Sequence, residues 1–261
     1  MQNVPEFITD LARSVAFLSR LPVPARFFEG HDGSVARACR AFPTAGALIA
    51  LPSALLIWLM EGYPEASLLA AFLALALAAL LTGGLHEDGL ADSADGLFGG
   101  RDKEHALTIM KDSRIGSFGV IALIASFGIR AAALSALIST HGGTLAASAL
   151  ISAAAISRAL MVWHWAHLPP ARVSGTAVAM GQPQSSALRV SVFSALGFAL
   201  LLIVAGASAG SVIAMLICAA GAALLFIRYV REKIGGHTGD TIGATQQITE
   251  MACLATLVVS L

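Results

Sequence analysis

Asp88, Asp92 and Asp95 fall at intervals of four and three in the stretch from His86 through Glu87 to Gly99-Gly100. On a helix of about 3.6 residues per turn, that spacing places all three on one stripe. Carboxylates so close repel one another unless a cation sits among them or a proton is retained. Hard divalent ions such as magnesium take oxygen ligands of this kind, usually together with substrate phosphates. The plainer alternative is a run of solvated acids at the end of a membrane helix. The metal reading is favoured because a disproportionate share of the chain's 16 acids crowds into this region.

Segment 86–116 reads as a helical hairpin. Gly99-Gly100 breaks the first helix, and Asp102 is a plausible N-cap for a second from about 103 to 112. Turning back would bring Lys111, Asp112 and Arg114 near the aspartates, so that acids and bases alternate in one pocket. Such a pocket suits a phosphorylated substrate, with metal on one side of a pyrophosphate and Lys and Arg on the other. Lys111 and Arg114 also read, more simply, as topogenic charge. A second polar constellation is Gly235-Gly236-His237-Thr238-Gly239-Asp240-Thr241-Ile242-Gly243-Ala244. It reads as a loop whose backbone amides can approach phosphate, or equally as a turn between helices. It lacks the GxxxxGK[ST] pattern. His86-Glu87 does not extend to HExxH, and no GxSxG elbow is present.

These residues need a scaffold, and composition names its class. The chain is 57% hydrophobic and 12% charged, against about 25% charged in a soluble domain, and mean hydropathy is +0.79. A polytopic, all-α membrane bundle is predicted, as one domain over 1–261. Zero net charge without a basic run argues against a nucleic-acid partner. Cys39, Cys218 and Cys253 are isolated, which argues against disulfides and structural zinc. The N-terminus has no basic region with a cleavage site and does not read as a secretory signal.

Residues 4 to 19 carry Phe7, Ile8, Leu11, Val15 and Leu18 at helical spacing and are read as an amphipathic helix on the membrane surface. Pro22 and Pro24 end it, and Arg20, Arg26, Arg37 and Arg40 follow. Spans are predicted at 42–60, 66–85, 117–138, 144–167, 190–207, 209–228 and 245–261. Most are near the ~20 residues that cross the hydrocarbon; the fifth and last are short. Spans three to six are rich in Ala, Gly and Ser, which predicts tight packing. The polar segments 20–41, 86–116, 168–189 and 228–244 hold every lysine and nearly all arginines, so they are predicted to be cytoplasmic. Arg130 and Arg158 lie inside spans, where a charge by default marks function, although Arg130 reads equally well as neutralising an acid. Trp163, Trp165 and His167 are read as an interfacial belt.

The motifs HxDGLADxxDG and MKDSRIGxxG, with Phe17 to Pro24, Phe42-Pro43, and Gly239 to Ala244 with Glu250, make the whole chain resemble the cobalamin synthase (adenosylcobinamide-GDP ribazoletransferase) family. The resemblance implies a magnesium-dependent transferase of the inner membrane, acting in the last steps of cobalamin biosynthesis. Its substrates would be adenosylcobinamide-GDP and α-ribazole or α-ribazole 5'-phosphate, with GMP released. On that footing Asp88, Asp92 and Asp95 hold one or two magnesium ions and Asp112 completes the set. The ribazole 5'-hydroxyl would attack, and one of the three aspartates would take its proton. His86, Lys111, Ser113, Arg114 and Arg158 would bind phosphate or substrate, and Thr238, Gly239, Asp240 and Thr241 the nucleotide or second substrate. Glu87 sits where the family varies. A homo-oligomer is compatible with all of this. Two other readings stay open: a CDP-alcohol phosphotransferase-like enzyme, whose DGxxAR signature fails here at Asp92, and a transporter.

Overall fold

The structure is a computed structural model, and it describes residues 6–30, 34–173 and 175–261. The helices are α1 (Glu6–Leu18), α2 (Phe42–Leu59), α3 (Ser67–Thr82), α4 (Leu85–Gly99), α5 (Lys103–Ile109), α6 (Ser117–His141), α7 (Gly143–His167), α8 (Thr176–Ala179), α9 (Ser185–Val204), α10 (Ala209–Ile234) and α11 (Gly239–Ser260). Among the described residues there is no strand, only an isolated parallel bridge from Pro170 to His237. Among the described residues seven helices are long and apolar enough to cross a membrane, as the sequence predicts. The protein is a multi-pass membrane protein. The fifth and last spans are longer than expected, at 20 and 22 residues, because they begin at Ser185 and Gly239.

Tight packing is concentrated rather than general. Helix α7 is buried over 78% of its apolar window, while the third, fifth and sixth spans are buried over 39%, 28% and 33%. Its Ala-rich surface lets α2, α6, α9 and α11 close around it. The outward faces of α3, α6, α9 and α10 show Phe72, Ile121, Phe193 and Leu225 to the surroundings, as lipid contact requires.

Helix α1 forms where the amphipathic pattern predicts it, with Leu11 and Val15 packed against the core beside Leu18. Its buried stripe is Asp10, Ser14 and Leu18, while Ile8 is exposed. Asp10 accepts from Arg40 at 2.6 Å, and the Ser14 hydroxyl donates to the Ala38 carbonyl at 2.8 Å. Glu6 pairs with Arg37. Two of the clustered arginines thus hold α1 against the entrance to α2.

The junction between α3 and α4 is where the fold aims the acids. Gly83 and Gly84 both adopt left-handed backbone, with φ of +66° and +70°, a conformation that costs a residue with Cβ. They close α3 and start α4 within two residues. Arg20, anchored by its backbone N–H to the Leu81 carbonyl at 2.8 Å, lays its side chain against Gly83.

Candidate active site

Helix α4 crosses the N-terminal end of α11 at Gly89 and Gly243. A Cβ at Gly89 would meet the Asp240 carbonyl at 2.8 Å, so only glycine permits this approach. The crossing sets Asp88 and Asp240 at one cavity, which they line with His86, Arg172, His237, Thr238 and Gly239. Its remaining wall is apolar and aromatic, including Phe17, Phe42, Met161 and Trp165, and its volume is ≈ 310 Å³. A second, more open and more polar cavity of ≈ 720 Å³ lies on the other side of Asp88. Asp92, Glu87, Arg20 and Ser113 line it. The four polar segments therefore meet at one end of the bundle.

The predicted residues divide on inspection. Asp88 and Asp92 share the polar cavity. Burial, and then Asp88, Asp240 and Asp95, push the Asp92 carboxyl up to about 7. Asp95 is buried against α6, where its oxygens accept the backbone N–H groups of Gly116 at 2.6 Å and Gly119 at 2.9 Å. It caps α6, as an acid at a helix N-terminus does. The hairpin does not turn all four residues 111–114 toward the aspartates. Ser113 and Ile115 line the cavity, whereas Asp112 and Arg114 form a forked pair on the exposed side, with Nη2 to Oδ2 at 2.5 Å. That pairing holds Asp112 down at about 2. Lys111 is exposed and lines neither cavity. Among the described residues no group of three or more His, Cys, Asp or Glu side chains is arranged to hold a metal ion unaided.

The glycine-rich constellation is shorter as a loop than the sequence suggests. Thr238 caps α11 and shares a reciprocal capping box with Thr241, so Thr241 is a structural partner and lies outside both cavities. Thr238, Gly239 and Asp240 do face the aromatic cavity. Arg158 does not: it sits in a buried network in which Glu250 accepts from Arg130 at 2.9 Å and from Arg158 at 3.2 Å. Gln247 joins Ser126 and Glu87 to it, at 2.7 and 3.0 Å. Arg158 has Glu250 as its partner because α7 and α11 pack side by side, and Glu250, 92 residues further along the chain, carries no local signal of that.

Sequence reasoning missed four lining residues. Arg20 reads as one of several topogenic arginines, yet its side chain has no hydrogen bond or ion pair among the described residues and lines the polar cavity. Arg172 donates to the Leu107 carbonyl at 2.7 Å and lines the aromatic one. Trp165, assigned to a membrane belt, is fully buried and donates its indole N–H to Gly181 at 3.0 Å. His237, inside the glycine-rich motif, lines the aromatic cavity beside Thr238, Gly239 and Asp240. His86 was singled out; buried at the same cavity, its imidazole is held well below its usual range by burial first and then by Arg158 and Arg130.

A polytopic helical bundle in which Asp88, Asp92 and Arg20 line one cavity at the rim has the architecture of a membrane protein with a polar site at one face. Residues 10–258 match the family described as Cobalamin-5-phosphate synthase, and the chain belongs to that family. A protein of Sinorhizobium medicae named adenosylcobinamide-GDP ribazoletransferase is 53% identical, with both chains covered completely. One of Rhizobium meliloti with the same name is 49% identical, again over all of both chains. The like-named protein of Brucella anthropi is 42% identical over 97% of this chain and 98% of its own. No solved structure matches the chain.

Proposed function

We propose that the chain, acting as a single domain, transfers the phosphocobinamide of adenosylcobinamide-GDP to α-ribazole or α-ribazole 5'-phosphate, with GMP released and Mg2+ required. The site faces the cytoplasm at the inner membrane, since the lysines flank this end of the bundle. The observation that carries the reading is Asp88 in the wall common to two cavities of different chemistry. Transfer between two substrates needs donor and acceptor held apart except where their reacting atoms meet.

Asp88 and Asp92 fit a magnesium site. Magnesium is commonly held by one or two carboxylates with substrate phosphate and water supplying the rest, and the raised Asp92 carboxyl marks negative charge that a dication would relieve. When bound, Mg2+ offsets charge developing on the diphosphate. Arg20 presents its guanidinium to the same phosphate oxygens. An acceptor hydroxyl oxygen attacks the cobinamide-bearing phosphorus, the bond from that phosphorus to the GMP oxygen breaks, and GMP leaves with the electron pair. Because a 5'-phosphorylated acceptor has no free 5'-hydroxyl, the attacking group common to both acceptors is a secondary ribose hydroxyl and not the 5'-hydroxyl expected from the sequence. Its proton passes to Asp240, the carboxylate that lines the aromatic cavity and not the polar one.

Purified protein in lipid nanodiscs, given both substrates and Mg2+, should release GMP in step with consumption of each. A transporter would instead accumulate a corrinoid inside sealed vesicles and release no GMP, and that result would overturn the proposal.

Asp92 adds a pH signature. Its folded value of about 7 lies above its ordinary 3.8, so between these values the folded chain binds more protons than the unfolded one. Ion-free stability therefore falls as pH rises through that window. A dication displaces the same proton. The rise in melting temperature on adding Mg2+ should be larger at about pH 8 than at about pH 6. Asp92→Asn should abolish the difference; an equal rise at both pH values in the unsubstituted protein would count against Asp92 as a ligand.

A further inference from the structure

His237 is 1% exposed, and neither of its ring nitrogens has a hydrogen-bond partner among the described residues. Leaving a buried polar atom unpaired costs about 1–3 kcal/mol, so such a residue calls for an explanation. Its position is firmly set. The backbone N–H donates to the Pro169 carbonyl at 2.8 Å, and its carbonyl accepts from Ala171 at 2.9 Å. Gly236 passes so near Pro169 and Ala171 that a Cβ there would meet the Ala171 nitrogen at 2.8 Å. This clamp between the α7–α8 connection and the start of α11 holds the imidazole in the wall of the aromatic cavity.

The rest of that wall offers flat and polarisable surface. Phe42 and Trp165 have ring centroids 6.4 Å apart, and Met161 and Met180 complete the lining around them. The Trp165 indole N–H is already committed to Gly181, so its ring is fixed and only its apolar surface is offered. At ≈ 310 Å³ the cavity is at the small end of the range for ligand sites, about 300–1,000 Å³.

Resting on the transferase reading above, we infer that this cavity seats the planar base of the acceptor, with His237 donating to that base's one free ring nitrogen. A ribosylated, methylated benzimidazole has a single acceptor nitrogen, no N–H, and an otherwise apolar surface. Burial lowers His237 to about 4, so its ring is neutral at physiological pH and carries one N–H to donate. The other flat base in the reaction is guanine, which presents an N–H, an amino group and three acceptors on its edges. It would leave most of them unpaired against Phe42, Met161 and Trp165, at a cost that disfavours it. With the base at His237, its sugar is left to meet Asp88 and Asp240, which line the same cavity.

The test is titration of the full-length protein in detergent with α-ribazole alone, together with steady-state kinetics. The unsubstituted protein should bind α-ribazole without the donor. His237→Ala should weaken that binding about tenfold, the scale of one buried hydrogen bond. The KM for α-ribazole should rise in parallel and that for adenosylcobinamide-GDP should stay within about twofold; His237→Gln, which keeps an N–H, should restore part of the loss. Met180→Trp, which fills the cavity from another side, should give the same split and covers the case in which His237→Ala fails to fold. A rise in the donor KM instead, or no change in either KM with both variants folded, overturns the assignment while leaving GMP release by the unsubstituted protein intact. Absence of GMP release by the unsubstituted protein overturns the transferase reading, and this inference with it.

Discussion

Asp88→Asn lowers the rate of GMP release by about 10²- to 10³-fold, the usual scale for losing one preorganised electrostatic contact with the reacting group. The substitution keeps shape and removes charge. Asp88 is exposed in the cavity walls, and its side chain makes no hydrogen bond or ion pair among the described residues. Its backbone N–H to the Gly84 carbonyl, at 2.8 Å, is untouched by the change. Folding therefore loses nothing, and relief of repulsion with Asp92 should bring the Asp92 carboxyl down from about 7. The melting temperature without metal should hold or rise while turnover collapses. That opposition separates a reactive carboxylate from a structural one, because a structural acid loses stability and activity together. Retention of more than about a tenth of the unsubstituted rate at saturating Mg2+ would sink the assignment of Asp88 to the reacting centre.

Glu250→Ala has the largest expected effect on stability. Glu250 alone accepts from both Arg130 and Arg158, and all three are buried at the packed faces of α6, α7 and α11. The remaining acid, Glu87, lies 3.6 Å from Arg130 and bonds Gln247. Without Glu250, two guanidinium groups stay buried with a single carboxylate near them. Breaking a buried pair from one side costs about 3–5 kcal/mol, mostly the desolvated charge left behind. The measurement is the yield and thermal unfolding of detergent-solubilised protein. Charge is the cause proposed, so Glu250→Gln combined with Arg158→Met should be markedly less damaging than Glu250→Ala alone. Gly46 makes room for the Arg158 side chain, since a Cβ there would meet Arg158 Cδ at 2.6 Å, and the smaller methionine fits the same space. Equal melting temperatures for Glu250→Ala and the unsubstituted protein would show that the network contributes nothing.

The polar network also explains two intramembrane arginines that the sequence left ambiguous. Arg130 neutralises acids, as one of its two readings held, and Arg158 does the same. Neither lies in the two cavities assigned to substrate. Glu87, set aside as variable, takes part in this network while also lining the polar cavity. It connects the charged interior to the acids one turn away on α4.

Seven spans, the helical class and the gathering of charge at one end are properties of composition and period, and the chain declares them unaided. Each depends only on neighbours within about twenty residues: hydropathy over one span, and 3.6-residue repeats along one helix. The Asp102 cap was legible for the same reason, since its partner, the His105 N–H, is three residues away. What α1 turns inward, what Asp95 caps, and which side of residues 111–115 meets the cavity were not legible. Those choices rest on partners such as Arg40, Gly119 and Arg114, and the first two are far along the chain. Trp165 and His237 are the clearest cases. Trp165 has the composition of a membrane belt, and His237 that of a turn. Only the closing of α7 against the start of α11, through the Pro169–His237 clamp, makes them two walls of one cavity. A chemical type can be read from a residue, but the company it keeps is a matter of distance in space, which only the packed helices decide.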